Sequence, residues 1–144
     1  SAKEHFNVSN LMARIVELLP PSPPYFGKDA LTDKPARFFV TEIIREKILL
    51  NYDKEVPYAT EVIVEKFEES DTSIHIMAVI YVERDSQKGI LIGKGGSMLK
   101  RVGTEARKDI EKFFDKRVYL ELFVKVEANW RNRENKLRSF GYIE

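Results

Sequence analysis

The sequence contains no cysteine and only two histidines, His5 and His75, set far apart. Without cysteine there is no disulfide framework and no thiolate metal site. Two distant histidines exclude a histidine-rich metal centre and argue against nucleophilic catalysis with a histidine base. No apolar run approaches the roughly 18 residues that a membrane-spanning helix requires, and the first residues show no signal-peptide pattern. Net charge is small as well, +1 from 24 basic and 23 acidic side chains in 144 residues. Taken alone, that argues against a polyanionic partner. What remains is a globular balance of 43% hydrophobic and 33% charged residues, enough for one domain with a small appendage. The expected setting is the cytoplasm.

The distribution of charge reverses the argument from its sum. From Ser86 to Thr104 there are four basic residues, Lys88, Lys94, Lys100 and Arg101, and no acid. From Glu42 to Asp71 nine acids face four bases. Such asymmetry concentrates a positive field on one region. A solvated helix face with ordinary scatter would explain it equally well, were it not for the glycines in the same window.

The chain opens on Ser rather than Met and enters a helical pattern almost at once, which reads as a fragment. Val8, Leu11, Met12, Ile15, Leu18 and Leu19 recur at helical spacing, with Asn7 as the expected cap and Pro20 as the stop. Residues 20–33 are too rich in proline for helix or central strand and read as a semi-rigid linker. A second helix is expected to about Leu50, capped by Thr32 or Asp33, with Pro35 in its first turn. Its expected buried face is Phe39, Ile43, Ile44, Ile48 and Leu50. Thr60 to Phe67 and Ile74 to Val82 read as strands joined by a short polar loop, hence an antiparallel hairpin. His75 occupies an ordinary strand position. Arg84 to Ile92 predicts a short helix ending at glycines. Leu99, Val102, Ala106, Ile110 and Phe113 predict a longer one, and Val118 to Val126 alternates as a third strand. Trp130 to Phe140 predicts a last basic helical turn or two. The order from Asp33 is helix, strand, strand, helix, helix, strand, an α+β domain in two layers with a three-stranded sheet.

The stretch Ile90 to Ser97, ILIGKGGS, sits between the two later helices. It is not a nucleotide-binding P-loop. Only three residues separate Gly89 from Gly93, and Gly95 stands where the Mg²⁺-binding hydroxyl would be. Gly93-Lys94-Gly95-Gly96 does fit the GXXG loop of a KH domain. Small residues there let a sugar-phosphate backbone approach closely, and the amides at the next helix start favour an anion. Lys94 adds a point charge at the tip, with Lys100 and Arg101 one to two turns further on. Phosphate contacts would position a single strand while its bases turn toward an apolar groove of helix and sheet. A tight turn without a ligand is the bland alternative.

The run VERDSQKGILIGKGGSMLKRVGTEARKDIEKFFDKRVYLELFVKV, followed by WRNRENKLRSFGY, resembles the C-terminal half of the Era family of bacterial GTPases. TDKPARFFVTEIIREKILLNYDKEVPYATEV is similar to the first helix and strand of the same part. The resemblance covers about residues 20 to 144. Ser1-Ala2-Lys3 looks like the family's last guanine-recognition motif, so residues 1–19 would be the end of a truncated GTPase domain and 34–144 a type II KH domain. By the same resemblance the RNA-binding residues would be Ile92, Gly93, Lys94, Gly95 and Gly96, with Lys88, Lys100 and Arg101 beside the phosphates and Arg84, Gln87 and Arg107 as further contributors. The implied partner is single-stranded RNA at the 3′ end of small-subunit ribosomal RNA, in support of small ribosomal subunit maturation. GTP and Mg²⁺ would belong to the parent protein. This chain lacks a P-loop and an NKxD motif, so no catalytic residue, metal or cofactor is expected in it, and it is expected to be a monomer.

Two other classes compete. A protein-interaction module, docking on ribosomal proteins or on its own GTPase domain, could use the acidic stretch and Tyr25 and Phe26. An enzyme is a poor reading, because Glu83 and Asp85 flank a helix start, where acids serve as caps. The basic residues Arg131, Arg133, Lys136 and Arg138 leave peripheral contact of the parent with the inner face of the cell membrane open.

Overall fold

Residues 1–23 and 34–130 are described by the structure, a computed structural model. The chain divides into two units, Ser1–Asp33 and Lys34–Glu144. In the first, the apolar spacing produces helix α1, Val8–Leu18, which runs into extended backbone at Leu19 just before Pro20. Asn7 holds the N-cap position but does not act as the expected cap. Its backbone is left-handed (φ 62), and its Oδ1 accepts from Asn10 Nδ2 at 2.6 Å instead of from a backbone amide. No residue of α1 is buried.

The second unit contains helices α2 (Ala36–Asn51), α3 (Asp85–Ile92) and α4 (Ser97–Phe114), and strands β1 (Glu61–Glu69), β2 (Ser73–Val82) and β3 (Arg117–Val126). The sheet order is β1-β2-β3. β1 and β2 form the expected antiparallel hairpin, with a register shift between Val64 and Lys66. β3 lies parallel to β2, from Ser73 opposite Arg117 to Val82 opposite Val126. A parallel pair needs a crossover, and α3 and α4 supply it. The glycine loop is the turn in that crossover. This is the α+β, three-stranded arrangement expected from the order of elements.

One face of the sheet carries the core. Ile74, Ile76, Ala78, Ile80 and Val82 of β2 are all at most 2% exposed, as their alternation requires. Against them pack Val40, Ile44 and Ile48 of α2, Leu91 of α3, and Val102, Ala106 and Ile110 of α4. Burying a side chain such as Ile44 completely stabilises the fold by about 1.5–3 kcal/mol. The buried face of α2 differs from the expectation in two places. Val40 belongs to the core, and Leu50 is 70% exposed. The stripe rotates because a charged residue, Lys47, turns inward to meet carboxylates, bonding Asp109 of α4 and, at 2.7 Å, Glu46. Donating to the carboxylates of Asp109 and then Glu46 holds the Lys47 ammonium above its ordinary pKa. Phe113, expected in the core, is half exposed and stacks on Phe39 at 5.0 Å.

The expected caps Thr32 and Asp33, the aromatics Tyr25 and Phe26, most of the proline-rich linker, the turn after Trp130 and the bases Arg131, Arg133, Lys136 and Arg138 lie outside the described residues. Among the described residues no helix is long and apolar enough to cross a membrane.

Candidate nucleic-acid interface

The loop is held from both sides by ordinary helix chemistry. Glu83 and Asp85 flank the start of α3 as expected, Asp85 in its first turn, but the N-cap position is Arg84 and no acid makes a side-chain cap hydrogen bond. The Oε1 of Gln87 instead accepts from the backbone amides of Glu83 (3.0 Å) and Arg84 (3.1 Å), and Gln87 is buried. Gln87 therefore faces inward as a cap and does not face a ligand. At the end of α3 the Gly93 amide closes the last turn on the Gly89 carbonyl at 2.9 Å. The Tyr52 hydroxyl, from the end of α2, donates to the Leu91 carbonyl at 2.7 Å. Burial pushes the Tyr52 phenol up to about 12.

Between α3 and α4 the backbone turns through three glycines with positive φ. Gly93 has φ 70 and ψ 176, Gly95 φ 60 and ψ 24, and Gly96 φ 79 and ψ 7. Lys94–Gly96 makes one tight turn, closed by the Gly96 amide on the Gly93 carbonyl at 3.1 Å. The reasons for glycine differ along the turn. A Cβ on Gly93 would lie 2.6 Å from Met98 Cγ, inside any tolerable contact. A Cβ on Gly95 or Gly96 would meet nothing within 4 Å. Those two positions require glycine for conformation, and they face open space that a ligand backbone can approach. The N-terminus of α4 follows directly, and no side chain caps it. The Ser97 amide turns back to the Lys94 carbonyl, and the helix dipole favours an anion at this end.

Beside the loop runs a groove of about 390 Å³ between α4 and β3. Gly96, Lys100, Gly103, Thr104 and Arg107 form one wall, and Leu99, Leu120 and Leu122 supply its apolar surface. Gly103 opens the middle of the groove, where Leu122 Cδ1 lies 3.4 Å from the position a Cβ would take. Arg107 is held in the wall by Glu111 at 2.8 Å, and Glu111 also accepts from the Val118 amide at 3.1 Å. A basic wall over a leucine floor is what a single strand needs, with phosphates on one side and bases on the other.

The structure brings Gly93, Lys94, Gly95, Gly96 and Lys100 to this loop and groove, with both lysines exposed. Lys88 is half-buried on α3. Ile92 is half-buried against the core and is not among the groove's lining residues. Arg101 turns away: its Nε donates to Glu105 at 3.0 Å, and Glu105 also accepts from Asn51 of α2 at 2.7 Å. Those two bonds, Asn51 first, hold the Glu105 carboxyl below its usual range. Thr104 and Gly103 do not stand out in the sequence, although Gly96, Lys100, Gly103, Thr104 and Arg107 follow the spacing of one α4 face. His75 is exposed and stacks on Tyr119 at 4.5 Å. No group of three metal-ligating side chains exists among the described residues.

Comparison with known proteins agrees with this architecture. Residues 55–131 match the KH domain family. Two solved structures of Era superpose closely on the chain. A single-substitution variant of Era from Aquifex aeolicus bound to GDP·AlF4⁻ shares 38% identity over 96% of this chain, with a TM-score of 0.89. Era in complex with MgGDPNP and nucleotides 1506–1542 of 16S ribosomal RNA gives 38%, 96% and 0.90. The chain spans about half the length of both, 47% in each case. With its hairpin, its α3–loop–α4 crossover and its parallel third strand, the chain belongs to the KH domain family, in the type II arrangement found in Era.

Proposed function

We propose that residues 34–144 are the single-stranded RNA-binding module of an Era-like GTPase, and that the strand is the 3′ region of small-subunit ribosomal RNA. The backbone of the strand passes over Gly95 and Gly96 at the α4 N-terminus, with Lys94 and Lys100 neutralising phosphates. The bases turn into the leucine-floored groove beside Arg107. The observation that carries this reading is the pair of unobstructed glycines at an uncapped helix start, directly next to that basic-walled groove. The Era structure with 16S ribosomal RNA nucleotides supports the ligand class. In this reading residues 1–19 end a GTPase domain and 20–33 link it to the RNA module. GTP and Mg²⁺ serve the parent protein, in keeping with the nucleotides in the two Era structures. The chain itself carries out no hydrolysis. Its role is to dock a cytoplasmic GTPase on the assembling small ribosomal subunit.

The test is fluorescence anisotropy with a short strand copying the 3′ end of small-subunit ribosomal RNA, beside a scrambled strand. Sequence-dependent, salt-sensitive binding that is abolished in Lys94→Asp/Gly95→Asp supports the proposal. Gly95 has open space around it, so this variant keeps the fold, which circular dichroism verifies. Equal affinity for both strands and for the variant would leave the loop a structural turn.

A further inference from the structure

The basic wall of the groove is not uniform in charge. At the loop end Lys94 and Lys100 are exposed and form no ion pair among the described residues. Arg107 lies roughly three turns further along α4, about 16 Å from Gly96 at 1.5 Å per residue. There the charge is already met. Arg107 Nη1 donates to Glu111 Oε1 at 2.8 Å, and the same carboxylate oxygen accepts from the Val118 amide at 3.1 Å. Helix stability is a weak reason for this pair, because a base four residues ahead of an acid is the less favoured order. The second bond matters more. It ties Glu111 to the start of β3, so the guanidinium is braced from the strand side of the groove it lines.

That brace changes what Arg107 can do. The Glu111 carboxylate offsets its charge, so this end of the wall attracts a phosphate far less than the two lysines do. The donors remain. A guanidinium carries five N–H groups in one plane, and Glu111 takes one of them. Two parallel N–H groups fit two adjacent acceptors on a base edge, as in the bidentate contact of arginine with guanine O6 and N7. Cytosine offers an equivalent pair, O2 beside N3. Adenine and uracil set a donor next to each acceptor on the corresponding edges.

We propose that Arg107, positioned by Glu111, reads a base through two adjacent acceptors, those of guanine or cytosine, instead of holding a phosphate. This role rests on the RNA-binding reading above and divides the wall by task. The unpaired lysines at the loop hold the backbone, and the paired arginine discriminates among the bases that lie past Gly103.

Binding of the 144-residue chain is followed by anisotropy with sets of short labelled RNA strands, each set fixing one base at one position and mixing all four elsewhere. At one position, guanine or cytosine should bind about fivefold or more tightly than adenine and uracil. In Arg107→Gln that preference should fall to parity, while the dependence of log affinity on log salt stays that of the parent chain. Arg107→Lys keeps the charge without the planar fork and should not restore the preference. Glu111→Gln keeps an oxygen for the Val118 amide but releases the arginine's charge. There the preference should shrink and the salt dependence steepen by up to about 0.7. Loss of affinity in Arg107→Gln for every set alike, with a shallower salt dependence, would make Arg107 a phosphate contact and overturn the assignment. An unchanged preference in Arg107→Gln, or its full return in Arg107→Lys, would overturn it too, and Glu111→Gln behaving as the parent chain would remove Glu111 from it. A parent chain that binds none of the sets would sink the RNA reading as a whole, which separates that failure from failure of this role alone.

Discussion

The Tyr52 hydroxyl, at the end of α2, donates a 2.7 Å hydrogen bond to the carbonyl of Leu91, two residues before the glycine loop begins. Its neighbour Asn51 reaches α4, donating to Glu105 at 2.7 Å. Two adjacent residues at one helix end thus hold both helices that flank the loop. Tyr52→Phe keeps the ring and leaves the carbonyl without this donor, so the fold should be destabilised by about 1 kcal/mol. Thermal or urea unfolding measures the difference. An unchanged midpoint would show that the bond is replaced at no cost.

The same phenol carries a pH dependence. Burial raises its folded-state pKa to about 12, above the ordinary value of 10.0. For a group raised in the folded state, the stabilisation is fully present below the unfolded value and disappears as pH rises through the folded one. Lys47, also raised, acts in the same direction. Urea midpoints measured from about pH 9 to about pH 12 should fall more steeply for the parent chain than for Tyr52→Phe. Parallel curves would remove Tyr52 from the alkaline transition.

The three glycines should respond differently to substitution. Gly93→Ala combines positive φ with a Cβ placed 2.6 Å from Met98 Cγ. A cost of about 1–3 kcal/mol is expected from the conformation alone, with the clash added to it. At Gly95 the αL conformation is the only penalty, roughly 1 kcal/mol. Unfolding midpoints that rank Gly93→Ala well below Gly95→Ala would agree. Equal midpoints would mean that Met98 moves aside freely.

Much of this architecture is legible in the chain because burial imposes a period. β2 is the central strand and alternates except at Val79, which is buried as well, and the α4 residues Val102, Ala106 and Ile110 fall where the helical repeat puts them. The glycine loop is legible because positive φ needs glycine. The exact face of α2 is not, since Lys47 looks solvent-bound until Asp109, sixty-two residues later, is placed opposite it. Spacing to the loop makes Arg101 a phosphate neighbour, yet one helical position decides whether a base lines the groove or meets Glu105. The Tyr52–Leu91 bond leaves no local trace at all, because it joins a helix end to a carbonyl supplied by another element.

Lys100 and Arg101 turn that difference into a measurement. Lys100 lines the groove, whereas the Arg101 guanidinium is engaged by Glu105. If the groove holds a strand, Lys100→Ala should weaken binding to every sequence. It should also lower the dependence of log affinity on log salt by about 0.7 for each phosphate that Lys100 neutralises. Arg101→Ala should change the slope by much less. Equal slopes would show that Glu105 releases Arg101 when RNA arrives.

Gly103 offers the sharpest separation of folding from binding. It sits in the middle of α4, where alanine is favoured over glycine by about 1 kcal/mol. An added Cβ would meet Leu122 Cδ1 at 3.4 Å, ordinary contact that needs no rearrangement. Gly103→Ala should therefore raise the unfolding midpoint. The same methyl group projects into the groove that the bases are proposed to enter, so RNA affinity should fall severalfold while Lys94 and the loop stay intact. A destabilised variant would mean that α4 and β3 are packed more tightly than this distance implies. A stabilised variant with unchanged affinity would mean that the bases lie elsewhere than between Gly103 and Leu122.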